Sequence, residues 1–292
     1  MIGHWDDAPA GRREYGHIRG RWRDLGALVG SQRVGVRLID VDADSFSTPV
    51  HAHGGEEEVF YVLRGDGVAV QDEQAFAVSA GDVIAYPPGP VAHTLRAGAD
   101  GVTVLAFGER RDAAVCYLPR VGVAWADPTW VDAGGTHPFA REQAAGPPLL
   151  GAVQATRPAN IITTADAPTA FGGAVRQLGA GAGTTRTGLN LVTLAASSRG
   201  APAHCHSSEE ELFVILDGAA TLRLGGDTAA LVAGSVVSRP AGSGVSHAIE
   251  AATDGCRYLV YGTRDPADMV YYPETQTVRL RGLGITIPAL HG

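Results

Sequence analysis

The chain has 292 residues, room for two ordinary domains or one large one, and its 39 glycines and 17 prolines favour short strands and tight turns over long helices. Its net charge is −8 and all 23 basic residues are arginine, which excludes a basic tract for nucleic acid or an anionic membrane surface and, for want of lysine, excludes Schiff-base chemistry, pyridoxal phosphate anchoring and a P-loop. Cys116, Cys205 and Cys256 are odd in number and far apart, no apolar run reaches 18 residues and the first residues lack an apolar signal core, so the expectation is a reduced, cytoplasmic protein with no membrane span. Arginine in place of lysine also fits a GC-rich bacterial genome.

Along the chain, a charged arm precedes a Gly-rich stretch, "GSQRVG", and then a run of strand signals. "EVFYVLRGDGVAVQ", beginning at Glu58, alternates and carries a hairpin signal at Gly65-Asp66-Gly67. "FAVSAGDVIAYPPG" reads as strand, turn, strand stopped by prolines, and "VAHTLRAG" and "GVTVLAFG" read as two further short strands. From Gly122 to Phe171 the chain is rich in Pro, Gly and Ala and reads as an ordered connector, with Trp125 and Trp130 expected to pack across a domain interface. "ELFVILDGAATLRL", "AALVAGSVVSRPAG" and "RYLVYGT" then repeat the strand pattern, and many short strands at hairpin spacing suggest a sandwich or barrel.

The repetition is residue by residue. Leu25, Gly26, Ala27, Gly30, Arg33, Gly35 and Leu38 return at one constant shift as Leu178, Gly179, Ala180, Gly183, Arg186, Gly188 and Leu191. His51, His53, Glu58 and Gly65 return as His204, His206, Glu211 and Gly218, and Gly81, Pro87 and Gly89 as Gly234, Pro240 and Gly242. One residue is inserted before His93 returns as His247, and the match runs on to Tyr117/Tyr271 and Pro119/Pro273. The chain is two copies of one unit.

These paired motifs resemble those of the cupin superfamily, and their presence twice, in order, resembles a bicupin. The first family motif has two His one residue apart, Glu five positions later and Gly seven beyond that; the second has Gly, Pro and Gly followed by a further His. The resemblance implies an all-β chain of two tandem double-stranded β-helix (jelly-roll) barrels. Residues 1–121 would form the first barrel with its N-terminal arm, 122–171 the connector, and 172–292 the second barrel with its C-terminal strand. It also implies two metal-ligand sets, His51, His53, Glu58 and His93, and His204, His206, Glu211 and His247. Each would hold up to one divalent transition metal, Fe, Mn, Ni, Cu or Zn. Such a chain mimics a cupin dimer, so a monomer or a homodimer is expected.

The residues themselves support that assignment. On a strand i and i+2 share a face, so His51 and His53 point the same way, and Glu58 shares its face with Phe60 and Val62 while Val59, Tyr61 and Leu63 face the other way. A lone His would read as a polar strand end; two complete sets in register read as metal ligands. Glu56, Glu57, Glu209 and Glu210 are expected to form a solvated, field-setting rim. Cys205, between two ligands, points away as a small buried hydrophobe. Arg33 and Arg186 are read as structural, Tyr117 and Tyr271 as packing residues, and His4, His17, His137 and His291 as surface histidines.

Cupin folds host many reactions. The inward positions beside the ligands are apolar: Phe60, Val62 and Leu95 in the first copy, Phe213, Ile215 and Ile249 in the second. That favours a small aromatic or apolar substrate bound through an oxygen. The leading expectation is a dioxygenase-type enzyme in which Glu58 or Glu211 also serves as base. Non-redox isomerase, cyclase or lyase chemistry is the second reading, and a non-catalytic metal- or ligand-binding bicupin the third.

Overall fold

The computed structural model describes residues 1–111, 114–126, 129–131 and 135–289. Each copy builds an eight-stranded sheet that folds over on itself. In the first the strand order is Ile161–Thr163, Asp82–Tyr86, Glu58–Gln71, His93–Glu109, Val34–Val41, Ile18–Asp24, Ala10–Tyr15, with Gln74–Ser79 also paired to Glu58–Gln71. In the second it is Ile2–His4, Ser235–Arg239, Glu211–Leu224, His247–Thr263, Thr187–Leu194, Val175–Arg176, Thr169–Ala170, with Asp227–Val232 on Glu211–Leu224. A four-stranded sheet stands beside each: Ala52–His53 leads one through Val115–Leu118, Val123–Ala126 and Thr129–Val131, and Cys205–His206 leads the other through Met269–Tyr272, Thr277–Leu280 and Ile285–Pro288. The fold is the all-β double cupin that the paired motifs imply.

The predicted hairpin turn at Gly65-Asp66-Gly67 is instead a bulge within one long strand. The ladder to His93–Glu109 slips between Val62/Arg64 and again between Gly65/Gly67, which bends the strand so the sheet can curl. Gly65 has φ 77°, and a Cβ there would sit 2.3 Å from the Gly101 carbonyl oxygen; Gly218 repeats the geometry against Gly255, so glycine is required by both φ and close approach. The reversal comes six residues later, at Asp72 and Glu73, both with positive φ, as a two-residue hairpin demands. The two short strands expected around "VAHTLRAG" and "GVTVLAFG" are likewise one strand, His93–Glu109, bent near Gly101.

Alternation divides each sheet into an inner and an outer face. Phe60, Val62, Ile84, Tyr86, Leu95 and Val104 fill the first barrel; Phe213, Ile215, Leu222, Val237, Ile249 and Tyr258 fill the second. The outer-face residues Val59, Tyr61 and Phe107 pack against Leu212, Val214 and Tyr261 of the other copy in one shared core, with Phe107 and Tyr261 ring centroids 5.1 Å apart. The barrels are thus joined back to back by the half of each strand pattern that faces away from the ligands.

Two strands cross over. Ile2–His4, at the start of the arm, pairs with Ser235–Arg239 of the second sheet. Ile161–Thr163, within the connector, pairs with Asp82–Tyr86 of the first. Each is followed by a short 3-10 turn, Trp5–Asp7 and Thr164–Asp166, so the arm and the end of the connector are themselves repeats, each closing the opposite barrel.

Glu57 and Glu210 are not the solvated rim expected of them. Each is 1% exposed. The Glu57 carboxylate accepts backbone N–H bonds from Thr185 (2.8 Å), Arg186 (3.1 Å) and Thr187 (2.9 Å) and a hydroxyl bond from Thr187 (2.8 Å). Glu210 reciprocates, accepting from the N–H groups of Gln32 (3.0 Å) and Arg33 and from the Ser238 hydroxyl (3.2 Å). Arg33 and Arg186 complete the clasp: Arg33 donates to the Ser208 carbonyl, and Arg186 to the Gly55 carbonyl (2.9 Å) and to Glu109 (3.1 Å). Their structural reading holds. Because unpaired buried donors cost about 1–3 kcal/mol each, Glu57→Ala is expected to lower the unfolding free energy by about 3 kcal/mol, and Glu210→Ala by a similar amount. Urea titrations check this, and a change below about 1 kcal/mol for both would deny them the clasp.

Candidate metal centres

In the first copy His51 and His93 face each other across a backbone bridge, His51 N–H to the His93 carbonyl (3.1 Å) and His93 N–H to the His51 carbonyl (2.8 Å). His53 lies two residues on, in the short strand Ala52–His53, and Glu58 opens the long inner strand. The imidazole Nε2 atoms of His93, His53 and His51 stand 3.0, 3.5 and 3.7 Å from Glu58 Oε2, and the four ligand atoms all fall within 4.8 Å of one another. Nδ1 of His51 lies 2.9 Å from the Pro49 carbonyl and Nδ1 of His93 3.1 Å from that of Val91. A proton on Nδ1 suits those carbonyls and would leave the Nε2 lone pairs for a cation; Nε2 of His93 is also within hydrogen-bond distance of Glu58.

The second copy repeats the arrangement. Nε2 of His247, His206 and His204 lies 2.9, 3.4 and 3.7 Å from Glu211 Oε2. His204, His206 and Glu211 converge within 4.8 Å, and His247 joins them through Glu211. Nδ1 of His204 meets the Pro202 carbonyl at 2.8 Å. His206 differs: its Nδ1 lies 2.6 Å from Asp268, a carboxylate that also accepts the N–H of Ser208 at 2.9 Å. In the first copy Glu56 holds the matching place, 3.2 Å from His53 Nδ1.

Whether these sets fit a cation is answered by their unpaired atoms. His53 Nε2, His206 Nε2, His247 Nε2 and Glu211 Oε2 are buried with no hydrogen bond of good geometry and face only the other members of their clusters. Buried polar atoms without partners are rare and call for a reason. Three imidazole nitrogens and one carboxylate oxygen suit a divalent first-row transition metal, so each copy carries a ligand set for one such ion.

The charges are arranged for the same end. Burial tends to raise Glu58, but the His53 charge and the bonds from all three imidazoles hold its carboxyl well below the usual range; Glu211 is held down likewise by His204, His206 and His247 against its burial. Burial, then His93, lowers His51 to about 4. Burial also works against a charge on His53, yet Glu58 and Glu56 together raise it to about 10. His206, opposed by burial and favoured by Asp268 and Glu211, is raised to about 10. Without metal, His53 in the first cluster and His206 in the second therefore keep a proton against the carboxylates.

A cavity of about 470 Å³ opens on the first cluster. His51, His53, Glu56 and Glu58 line it together with Phe60, Trp22, Trp125, Phe139 and Arg13. Of the apolar residues expected around this site, Phe60 reaches the cavity. Val62 and Leu95, two residues along their strands from Phe60 and His93, are 0% and 2% exposed in the barrel core behind it. Phe213 packs edge-on to His247, with centroids 5.5 Å apart, whereas Ile215 and Ile249 belong to the second barrel's core. Trp125 does not bridge the domains as expected; it meets Trp130 on its own hairpin, centroids 5.2 Å apart, and forms cavity wall. Glu209 is also no rim residue: it is 3% exposed and bound to Asp265 N–H and Arg281. Cys205 is buried as expected, and burial, with Glu58 and Glu56 nearby, raises the cavity thiol Cys116 to about 12. His17 is not a surface group: its side chain is 9% exposed, 3.6 Å from Glu142. His137 caps the helix Pro138–Ala145, and His291 lies outside the described residues.

Several site residues escaped the sequence reading. Tyr86 stacks on His93 at 3.7 Å and 6°, and it pairs across the ladder with Glu58; Arg239 takes that place beside Glu211. Thr48 Oγ1 stands 3.3 Å from His51 Nδ1. Stepping by two along "DVIAY" from Ile84 would have found Tyr86 on the ligand face. Asp268 and Arg13 lie outside the motif pairs and carry no spacing signal.

Two segments of the chain, residues 37–107 and 190–261, match the family described as Cupin domain. Among solved structures, a deletion mutant of Bacillus subtilis oxalate decarboxylase is similar at 16% identity with a TM-score of 0.62, covering 92% of this chain and 78% of that one. The same enzyme at pH 4.6 is similar at 15% identity and a TM-score of 0.61, covering 92% and 77%. No match among curated proteins was found by sequence. Among the described residues no helix is long and apolar enough to cross a membrane. With a Cupin domain match on each copy, the chain is a bicupin, two Cupin domains in one polypeptide.

Proposed function

We propose that this bicupin is a metal-dependent enzyme whose first copy acts on a small aromatic or apolar molecule bound through oxygen, by dioxygenase-type chemistry. The observation that carries this reading is the cavity of about 470 Å³ on the His51–His53–Glu58 cluster, a size suited to a small ligand. Its walls at Phe60, Trp22, Trp125 and Phe139 suit an aromatic body. A divalent metal held by His51, His53, Glu58 and His93 supplies Lewis acidity and, for a redox-active ion, electrons for reaction with O₂. The protein's own groups do the rest. The aromatic walls orient the substrate and exclude water, the carbonyls of Pro49 and Val91 keep His51 and His93 in one tautomer, and Glu58 is the carboxylate placed to accept a substrate proton, its lowered pKa making it a weak base. Glu211 has the same standing in the second copy.

A non-redox lyase is the second reading. Its support is that the similar solved structures are decarboxylases.

Three measurements test these readings. Metal analysis of the purified protein is expected to give about two ions per chain, falling by about one in His51→Ala and in His204→Ala; no metal even after reconstitution would remove the foundation. Because His53 and His206 are raised to about 10, each free site carries a proton at neutral pH that the metal displaces. Metal affinity should therefore rise as pH rises, by about tenfold per unit per proton displaced, and flatten near pH 10. Calorimetry in two buffers of different ionisation enthalpy reads the proton release, and zero release would contradict the coupling. Finally, phenolic and diketone substrates should drive O₂ uptake that falls at least about 100-fold in Glu58→Gln. Turnover that persists without O₂ and with Zn in the site would select the lyase reading.

A further inference from the structure

The edge strand Ala10–Tyr15 alternates exposed and half-buried residues. Arg12 faces out to its ion pair with Asp42 at 2.7 Å, while Arg13 turns inward and lines the cavity with His51, His53 and Glu58. Its guanidinium carbon lies 5.6 Å from the ring centroid of Trp22 and 5.6 Å from that of Phe139, within cation–π range of both. The flat guanidinium is thereby fixed between aromatic walls.

Among the described residues no carboxylate comes within ion-pair distance of Arg13, although several line the same cavity. Each of those is engaged elsewhere. Asp24 is paired with Arg110 at 2.9 Å, Glu109 with Arg186 at 3.1 Å and Glu56 with His53 at 3.2 Å; Glu57 is bonded to the amides of Thr185, Arg186 and Thr187, and Glu58 to the imidazoles. Burial, then repulsion from Arg37, lowers Arg13 to about 10, so it remains a cation at neutral pH. A preoriented, desolvated guanidinium with no counter-ion among the described residues is matched by a planar carboxylate, which can take two parallel N–H bonds from it.

We propose that Arg13 is the carboxylate anchor of the first copy's cavity, and that the molecule bound there is a small aromatic carboxylic acid. Its ring lies against Trp22, Phe139 and Phe60 and its carboxylate on the guanidinium. This rests on the reading of the cavity as the substrate site and narrows the substrate class to acids. It also confines the anchor to one copy: the hairpin that supplies Arg13 is reduced in the second to Thr169–Ala170 and Val175–Arg176.

The test is binding, read by calorimetry and by the fluorescence of Trp22 and Trp125. The purified metal-loaded protein is titrated with benzoate, phenylacetate and 3-phenylpropionate and with the three matching amides. At least one acid is expected to bind about tenfold or more tightly than its amide, the scale of one charge-assisted pair. Arg13→Met should erase that preference and Arg13→Lys should keep part of it, with metal content unchanged in both. Arg13→Gln gives the same comparison should Arg13→Met fail to fold. No binding by any acid, equal binding of acid and amide, or a preference that survives Arg13→Met or Arg13→Gln would each overturn the anchor. Metal content is a separate readout, so loss of the metal-site reading is distinguishable from loss of this one.

Discussion

Three consecutive glutamates at the mouth of one strand organise each half of this protein. Strand alternation sends their side chains in different directions, and each direction meets a different task. In the first copy Glu58 turns into the barrel and meets three imidazoles. Glu57 turns the other way and is consumed by the backbone amides of the second copy. Glu56 reaches back to Nδ1 of His53. The second copy repeats the first two tasks with Glu211 and Glu210. Ligand geometry and domain docking are therefore set by adjacent residues of one backbone segment. A shift of one residue would exchange their faces and put a docking carboxylate in the barrel and a ligand in the interface.

That constraint explains why the interface is polar at its ends and apolar in its middle. Along the same strand Val59 and Tyr61 follow Glu57 onto the outer face and enter the shared core, while Phe60 and Val62 follow Glu58 inward. The two barrels bury the outer faces of their sheets against each other, which for an isolated barrel would leave a large exposed apolar surface. The exchanged strands Ile2–His4 and Ile161–Thr163 then cover the neighbouring sheet edges, which would otherwise invite pairing with other chains. Back-to-back docking leaves the open mouth of the first barrel free to carry a cavity.

The parts legible in the sequence are those in which chemistry and period coincide. His51, His53 and Glu58, with their repeats, announced the clusters because the residue types are ligands and the spacing puts them on one face. The inner and outer faces of "EVFYVLRGDGVAVQ" were readable for the same reason. What misled was ambiguity of residue type. Gly-Asp-Gly serves a bulge as well as a turn, since both use a positive φ. An acidic triplet is ordinarily solvated, and nothing near Glu57 in sequence hints that its partners lie 128 to 130 residues away. Trp125 and Arg13 belong to segments outside the repeated motifs, so no second copy was there to calibrate them.

Comparison of the copies shows where they have been free to differ. The ligands are identical, and so are the carbonyl contacts of the first histidine in each set, at Pro49 and Pro202. Their surroundings are not. Tyr86, whose hydroxyl is buried without a partner, stacks on His93 in the first barrel, whereas Arg239 occupies the matching ladder position beside Glu211 in the second. The position paired with Val62 is Val104, and the one paired with Ile215 is Tyr258, so an aromatic ring fills the second barrel where the first keeps a smaller side chain. Arg239 is 8% exposed and bonded to the Val245 carbonyl at 2.9 Å; burial lowers His247, and the Arg239 charge adds to that in the same direction. A buried cation next to a ligand cluster works against a dication there and in favour of an anion. Arg13 places its cation on the aromatic cavity wall of the first copy, whereas Arg239 places one beside the ligands of the second. One inherited ligand set thus sits in two electrostatic settings, and it is the unrepeated residues around the motifs that separate what the two halves can bind.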